Sequence, residues 1–542
     1  MRLILLLLLL LLFTCKNSES NKIPNENSTD ISAISTKDFR EFQVLDSRYI
    51  KKKELWQAFE NDLKNFSDEI YDSLKPLILD KDILQLQENV AKGKLSYELI
   101  TKFYLYRIRK FDRENTLSLN AVIALNPNVI EEAIQADNTD FEAMPHPIFG
   151  MPILLKDNIN AKGMPTTAGA VALQNNNAED SFIVKRLEEN GAIVLGKTNL
   201  SEWAYFFCGD CPSGYSAIGG QTLNPYGRRI FDTGGSSSGS GVAVAANFAV
   251  AAVGSETSGS ILSPSSQNSV VGLKPTIGLL SRSGIVPISS TLDTAGPMTK
   301  NVSDNAILLD AMFGYDVNDT KSMETGNASG YYSELINDNL QDTRLGVFKA
   351  LLKDSLYAQA ISDLKSNGAV IVEIEEEEIE LPNFLRLLNL DMKVDLQMYL
   401  SKYAGKEVTV KTVQDVIHFN QKDSVNIMPY GQKLFKGIVA DNATDDEFLE
   451  IKNTLKNNGK RFFDNPMTAH ELDGFLSINN YHAGFAAVAE YPAITVPMGY
   501  TSLGEPEGLT FISKPLSERE LLGWAYVYEH ASKRREMPKN YN

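Results

Sequence analysis

The residues best placed to do chemistry in this 542-residue chain lie in two serine-rich clusters and one apolar segment. The clusters open and close TGGSSSGSGVAVAANFAVAAVGSETSGS, residues 233 to 260, and the stretch between them, VAVAANFAVAAV, is apolar enough to be core. Glycine and serine at this density suggest a linker, yet a linker has no reason to enclose a buried segment. The small residues of GSETSGS let successive backbone N–H groups turn inward into an anion-holding concavity. Beside a nucleophilic serine that concavity is an oxyanion hole; a simple polar turn is the alternative. A serine can be activated without histidine by a neutral lysine. Lys156 is the candidate, because the preceding MPILL should bury it and desolvation lowers a lysine pKa. In water only about one lysine in a thousand or fewer is neutral at pH 7. Asp157 and Asn158 stand beside it to orient it, and the plainer reading is a lysine that ends a strand and reaches solvent.

Other chemistries find less support. The five histidines, His146, His418, His470, His482 and His530, are far in sequence from both clusters, although a Ser-His-Asp triad is assembled in space. GGSSSGSG is followed by no Lys-Ser or Lys-Thr, so there is no phosphate-binding Walker loop, and no cluster has metal-ligand spacing. The net charge of −17 would repel nucleic acid. The acidic run EIEEEEIEL, 373 to 381, reads as a solvated face or strand end.

The opening residues bear on compartment. MRLILLLLLLLLFTC has one arginine, a short leucine-rich run and Cys15, the pattern of a signal peptide over 1–15 with a lipoprotein cysteine. Thr14 stands where a smaller residue is usual; ordinary secretion and an uncleaved anchor are the alternatives. Residues 16–45 read as a polar tether, and the expected location is the periplasm or cell envelope. Cys208 and Cys211, in FFCGDCPSG, offer a redox pair, half a zinc site or a small disulfide loop; with no second Cys pair for zinc and in an exported chain they read as a local disulfide, with two free thiols next.

These residues need a scaffold. Apolar residues at spacings of three and four predict helices over 50–112, and SLNAVIAL, 118 to 125, predicts a strand. The α/β core spans 113–375, where SFIVKRLEENGAIVLGK reads as helix, glycine stop and strand, and RLGVF, a helix from Tyr357 and AVIVEIE repeat the alternation. Strand signals thin out over 376–470, which reads as a helical insertion. YPAITVPMGY and GLTFIS return to the sheet over 471–540, and Ser517 with Glu520 predicts a capping box for the last helix.

Taken together, GMPILLKDNI, GKTNLSEWA, TGGSSSGSGVAVAA, GSETSGSILSPSSQNSVVGLKPTIGLLSRSGIVPISSTLDTAGPM and YPAITVPMGY resemble the amidase signature family in order and spacing, from about 85 to 540. GSETSGSI, DTAGPM and WAYVYEHASKRR look most like its bacterial peptide amidase branch. The resemblance implies a large mixed β-sheet covered by helices on both sides over 46–540. It implies a Ser-Ser-Lys triad: Lys156 as base, Ser236 after a cis peptide as relay, and Ser260 as nucleophile, with backbone N–H groups of Thr257, Ser258, Gly259 and Ser260 as oxyanion hole. The implied reaction is hydrolysis of a linear carboxamide through an acyl-enzyme, of which a peptide C-terminal amide is one candidate, with no metal or cofactor. The partners implied are a small-molecule or peptide amide, no nucleic acid, and a lipid anchor at Cys15. Two rival readings are a catalytically inactive amide- or peptide-binding lipoprotein and the amidase subunit of a tRNA-dependent amidotransferase. The chain departs from many members in carrying Glu256, Ser258 and Leu262 where Asp, Gly and Arg are common, which puts the support of the nucleophile loop in question.

Overall fold

The computed structural model describes residues 37–139, 146–324, 330–335 and 339–542. The readings made on 1–15, on Cys15 and on 16–36 fall outside them. The core is one eleven-stranded sheet. In chain order its strands are β1 (Val122–Leu125), β2 (Pro152–Lys156), β3 (Ile193–Thr198), β6 (Ala251–Glu256), β7 (Val271–Lys274), β8 (Thr294–Thr299), β9 (Arg344–Phe348), β10 (Val370–Ile374), β11 (Gly474–Ile478), β12 (Ala493–Tyr500) and β13 (Pro506–Ile512). A two-stranded hairpin, β4 (Tyr215–Ser216) and β5 (Gly220–Gln221), lies outside it. The sheet order is β1-β3-β2-β6-β8-β7-β12-β13-β11-β9-β10. β3, β2 and β6 run parallel, as do β11, β9 and β10, with antiparallel pairings between these groups. Such a mixed sheet needs cover on both faces, and its central strands are accordingly continuous apolar runs. Every residue of β2 and β6 is buried.

The stretch between the serine clusters is a helix and a strand. Ser238–Ala245 is a fully buried helix, followed after a short turn by β6. Gly239 is required at its start, because a Cβ there would lie 2.4 Å from the Asn199 carbonyl oxygen and 2.6 Å from that of Ala121. Elsewhere local chemistry sets the boundaries. Ser181 caps the helix Phe182–Glu189, Gly191 reverses the chain at φ +80°, and β3 follows. The strand expected from 118 begins only at Val122, since the buried Asp112 carboxylate accepts the N–H groups of Ala121 and Val122 at 2.7 and 3.0 Å. The capping box at Ser517 does not form. Its backbone, at φ −95° and ψ 27°, is outside the extended region from which a side chain caps, and Glu520 has no cap to answer.

Between β10 and β11 the described chain forms helices without strands, led by Phe384–Lys402 and ended by Asp445–His470. They share a second apolar core with loop residues on the sheet, including Trp203, Phe206, Phe207, Ile288 and Leu292. Phe435 joins the two layers, its ring centroid 5.2 Å from Trp203 and 5.0 Å from Phe207. Burial of each such aromatic contributes about 1.5–3 kcal/mol before the cost of ordering it. These helices thus wall one side of the sheet's functional edge. The acidic run before them has its glutamates exposed and Ile374, Ile379 and Leu381 buried, the solvated face expected of it.

Candidate active site

Lys156 ends β2, in the middle of the parallel group, and is fully buried. Its Nζ is 2.8 Å from Ser236 Oγ, 2.9 Å from Ser255 Oγ and 3.0 Å from the Ser255 carbonyl oxygen. The strand therefore does not deliver it to solvent. Burial pulls its pKa down from the ordinary lysine value to about 7, against the opposing charges of Asp293 and Glu256. At neutral pH about half of such lysines carry no proton. Among the described residues no carboxylate lies within ion-pair distance of the amine; its partners are hydroxyls and one carbonyl, which solvate an amine without fixing a charge on it.

The two serine clusters meet at this lysine. The Gly235–Ser236 peptide is cis, and Gly234 before it has φ +63°. The Ser236 carbonyl accepts the Ser201 N–H, and the Ser237 N–H donates to the Ser260 carbonyl, both at 3.1 Å. That second bond ties one cluster directly to the other. Ser237 Oγ also bridges to the Ser255 backbone. Ser236 is wholly buried, whereas Ser258 and Ser260 are partly exposed at a small cavity of ≈ 30 Å³ that also meets Thr257, Gly235 and Asn480.

The loop bearing Ser260 is held by a carboxylate. Glu256 accepts the N–H groups of Gly259 and Ile261 at 2.7 Å and of Leu262 at 3.0 Å. The residue that replaces the common aspartate thus supports the loop through its backbone, with no arginine required. This changes the expected oxyanion hole in one respect: the Gly259 N–H is already committed to Glu256. The N–H groups of Thr257, Ser258 and Ser260 are donated to no protein acceptor among the described residues. Thr257 Oγ1 in turn donates to Asp293 at 2.6 Å, and Asp293 also accepts the N–H groups of Ile288 and Ser289. Ser255, Glu256 as a clamp and Asp293 were not singled out for these contacts from sequence. Ser255 faces Lys156 only because β6 pairs with β2, and no spacing rule announces that pairing.

Asp157 does not orient Lys156. It forms a buried ion pair with Lys197 at 3.3 Å and accepts from the Thr167 backbone and hydroxyl. β2 ends at Lys156 and Asp157 is the first residue of the turn after it, so adjacency in sequence does not bring the two side chains together. Asn158 does belong to the site, donating to the same Ser255 hydroxyl at 2.9 Å. Of the histidines, His482 contacts Ser477 and lies 3.6 Å from Glu376, but Ser477 is buried and neither lines the cavity at Ser260. Cys208 and Cys211 are joined as a disulfide.

A model of the amidase family matches residues 100–428. A probable amidase of Arabidopsis thaliana is 34% identical over 468 residues, covering 82% of this chain and 89% of its own length. The solved structure of an amidase family protein from Bacillus anthracis superposes with a TM-score of 0.87 at 38% identity, covering 92% of this chain and all (100%) of that one. The native peptide amidase of Stenotrophomonas maltophilia superposes at 0.80, also 38% identical, covering 85% and 98%. With the mixed sheet, the buried lysine and the joined serine clusters already in view, the chain belongs to the amidase signature family and is an amidohydrolase.

Proposed function

We propose that the protein hydrolyses linear carboxamides by a Ser-Ser-Lys relay, and that peptide C-terminal amides are among its substrates. The observation that carries the reading is the fully buried Lys156 amine at 2.8 Å from Ser236 Oγ, with no carboxylate in ion-pair reach among the described residues. Neutral Lys156 takes the Ser236 proton as Ser236 takes that of Ser260. Ser260 Oγ bonds to the amide carbon, and the carbonyl π electrons move to oxygen. The free N–H groups of Thr257, Ser258 and Ser260 receive that oxyanion; one such donor is worth about 10²–10³ in rate. The tetrahedral carbon expels the amide nitrogen, which takes a proton from Ser236 as the lysine returns one. Water then attacks the acyl-enzyme through the same relay and releases the acid. The likeness to the Stenotrophomonas peptide amidase supports the peptide amide as substrate. The test is ammonia release from a panel of amidated peptides, fatty amides and aryl amides; inertness to the whole panel would overturn it.

We also infer that the protein is exported and lipid-anchored at Cys15. The leader pattern MRLILLLLLLLLFTC supports this, and the disulfide fits an oxidising compartment. Incorporation of labelled palmitate into the full chain, lost in Cys15→Ser, tests it; an unlabelled wild type would refute the anchor.

A further inference from the structure

Next to the nucleophile's cavity lies a larger one of ≈ 140 Å³, roughly ten times what one ordered water needs. The two share Ala204, Thr257 and Ile288 as walls, so the larger begins at the loop that carries the oxyanion donors. Its far wall is the helix Phe384–Lys402, through Asp395, Met398 and Tyr399. Its charged lining residues are three carboxylates, Asp293, Asp319 and Asp395, and one guanidinium, Arg282. Arg282 is spent on Asp319, which it grips through Nε at 2.9 Å and again through its terminal nitrogen. Asp293 and Asp395 have no cation within 4 Å among the described residues; their partners are the Thr257 and Ser290 hydroxyls and backbone N–H groups. Asp391, beneath Asp395, has its own lysine in Lys452 at 3.3 Å. Two of the cavity's three carboxyl groups are thus left without a cation of their own.

A second observation is independent of these charges. Asn158, a wall residue of this cavity, is 2% exposed; its amide nitrogen donates to Ser255 and Val286, and its carbonyl oxygen is buried without a hydrogen-bond partner among the described residues. A buried acceptor left open costs about 1–3 kcal/mol unless something donates to it. Hydrogen-bonded carboxyl groups without a cation and an unpaired carbonyl on the walls of one space call for a ligand that is both cationic and rich in donors.

We propose that this cavity is a specificity pocket for a primary ammonium group on the amide substrate, such as the side chain of lysine or ornithine, received by Asp395, Asp293 and the Asn158 carbonyl. The proposal rests on the amidase reading and narrows it to basic amides. Burial and the charge of Asp391 push the Asp395 carboxyl up to about 7, so the test is run at pH 8, where it is mostly ionised.

The experiment compares kcat/KM for three otherwise identical tripeptide amides ending in lysinamide, norleucinamide or glutaminamide, in the wild type and in Asp395→Asn and Asp395→Glu. The proposal expects lysinamide to exceed norleucinamide at least tenfold, the ratio to fall about tenfold in Asp395→Asn, and Asp395→Glu to restore part of it. A ratio taken within one variant is unaffected by how much of that variant is folded. Norleucinamide turned over as well as or better than lysinamide by the wild type overturns the pocket while the amidase reading stands. A wild-type preference unmoved by Asp395→Asn overturns the assignment to this cavity. Failure to hydrolyse any amide overturns both.

Discussion

Asn158→Asp is the substitution that probes the lysine most sharply. Lys156 Nζ and Asn158 Nδ2 each lie 2.9 Å from the Ser255 hydroxyl oxygen, so the two nitrogens are within about 6 Å of each other. A carboxylate of the same shape in place of the amide favours the lysine's charged form. At an effective dielectric of 20, a unit pair at about 6 Å interacts by roughly 3 kcal/mol, or about two pKa units. The lysine would then titrate near about 9 instead of the native value of about 7. The neutral fraction at pH 7 falls from about one half to roughly one in a hundred. For a base that must be unprotonated, kcat/KM rises with pH through the pKa, so the rising limb should move about two units to the alkaline side. On a neutral amide substrate, activity at pH 7 should drop about fiftyfold and recover by about pH 10. The assay is ammonia release across pH 5–10 in wild type and variant. A rising limb in the same place in both proteins, with full activity at pH 7, would refute the argument that Lys156 acts as a neutral base.

Two further predictions concern stability and follow from buried groups near the site. Asp157→Asn leaves the buried Lys197 without its carboxylate, so denaturant unfolding should show a loss of about 3–5 kcal/mol. The wild-type position of the pH–rate limb should survive in that variant, since Asp157 does not touch Lys156. Glu202 is buried, with its carboxyl pushed up to about 8 by desolvation and one oxygen unpaired. A carboxyl whose folded pKa is raised holds a proton that the unfolded chain has released, so its cost to stability grows as pH rises from about 4.5 to about 8 and is then constant. Glu202→Gln removes that cost; its melting temperature should exceed the wild type's by more at pH 8 than at pH 5, and an equal difference at both would count against the assignment.

The fold class was legible in sequence because its signals are local. Glycine stops such as Gly191, the apolar runs of β2 and β6 and the helical spacing of the insertion are each written in fewer than about twenty residues. The order of the eleven strands was not legible, since β6 lies between β2 and β8, far apart in sequence. The same distance hid much of the site. Lys156 was readable from its apolar approach, and Ser236 and Ser260 from the family motif. The contacts that tune them were not, because Ser255 and Asp293 enter through strand pairing and a loop crossing. Sequence adjacency did not mean contact at Asp157, which follows the end of β2 and pairs with Lys197 and Thr167 instead. Where a replaced residue raised doubt, at Glu256, three backbone hydrogen bonds answer it.

The central claim is that Ser260 is the nucleophile, and a fluorophosphonate tests it most directly. The purified protein is incubated with the probe, digested, and the modified residue located by peptide mass spectrometry, with Lys156→Ala and Ser260→Ala alongside. A single adduct on Ser260, absent from Ser260→Ala and strongly slowed in Lys156→Ala, is the expected result. An adduct on another serine, or unimpaired amide hydrolysis by Ser260→Ala, would contradict the account.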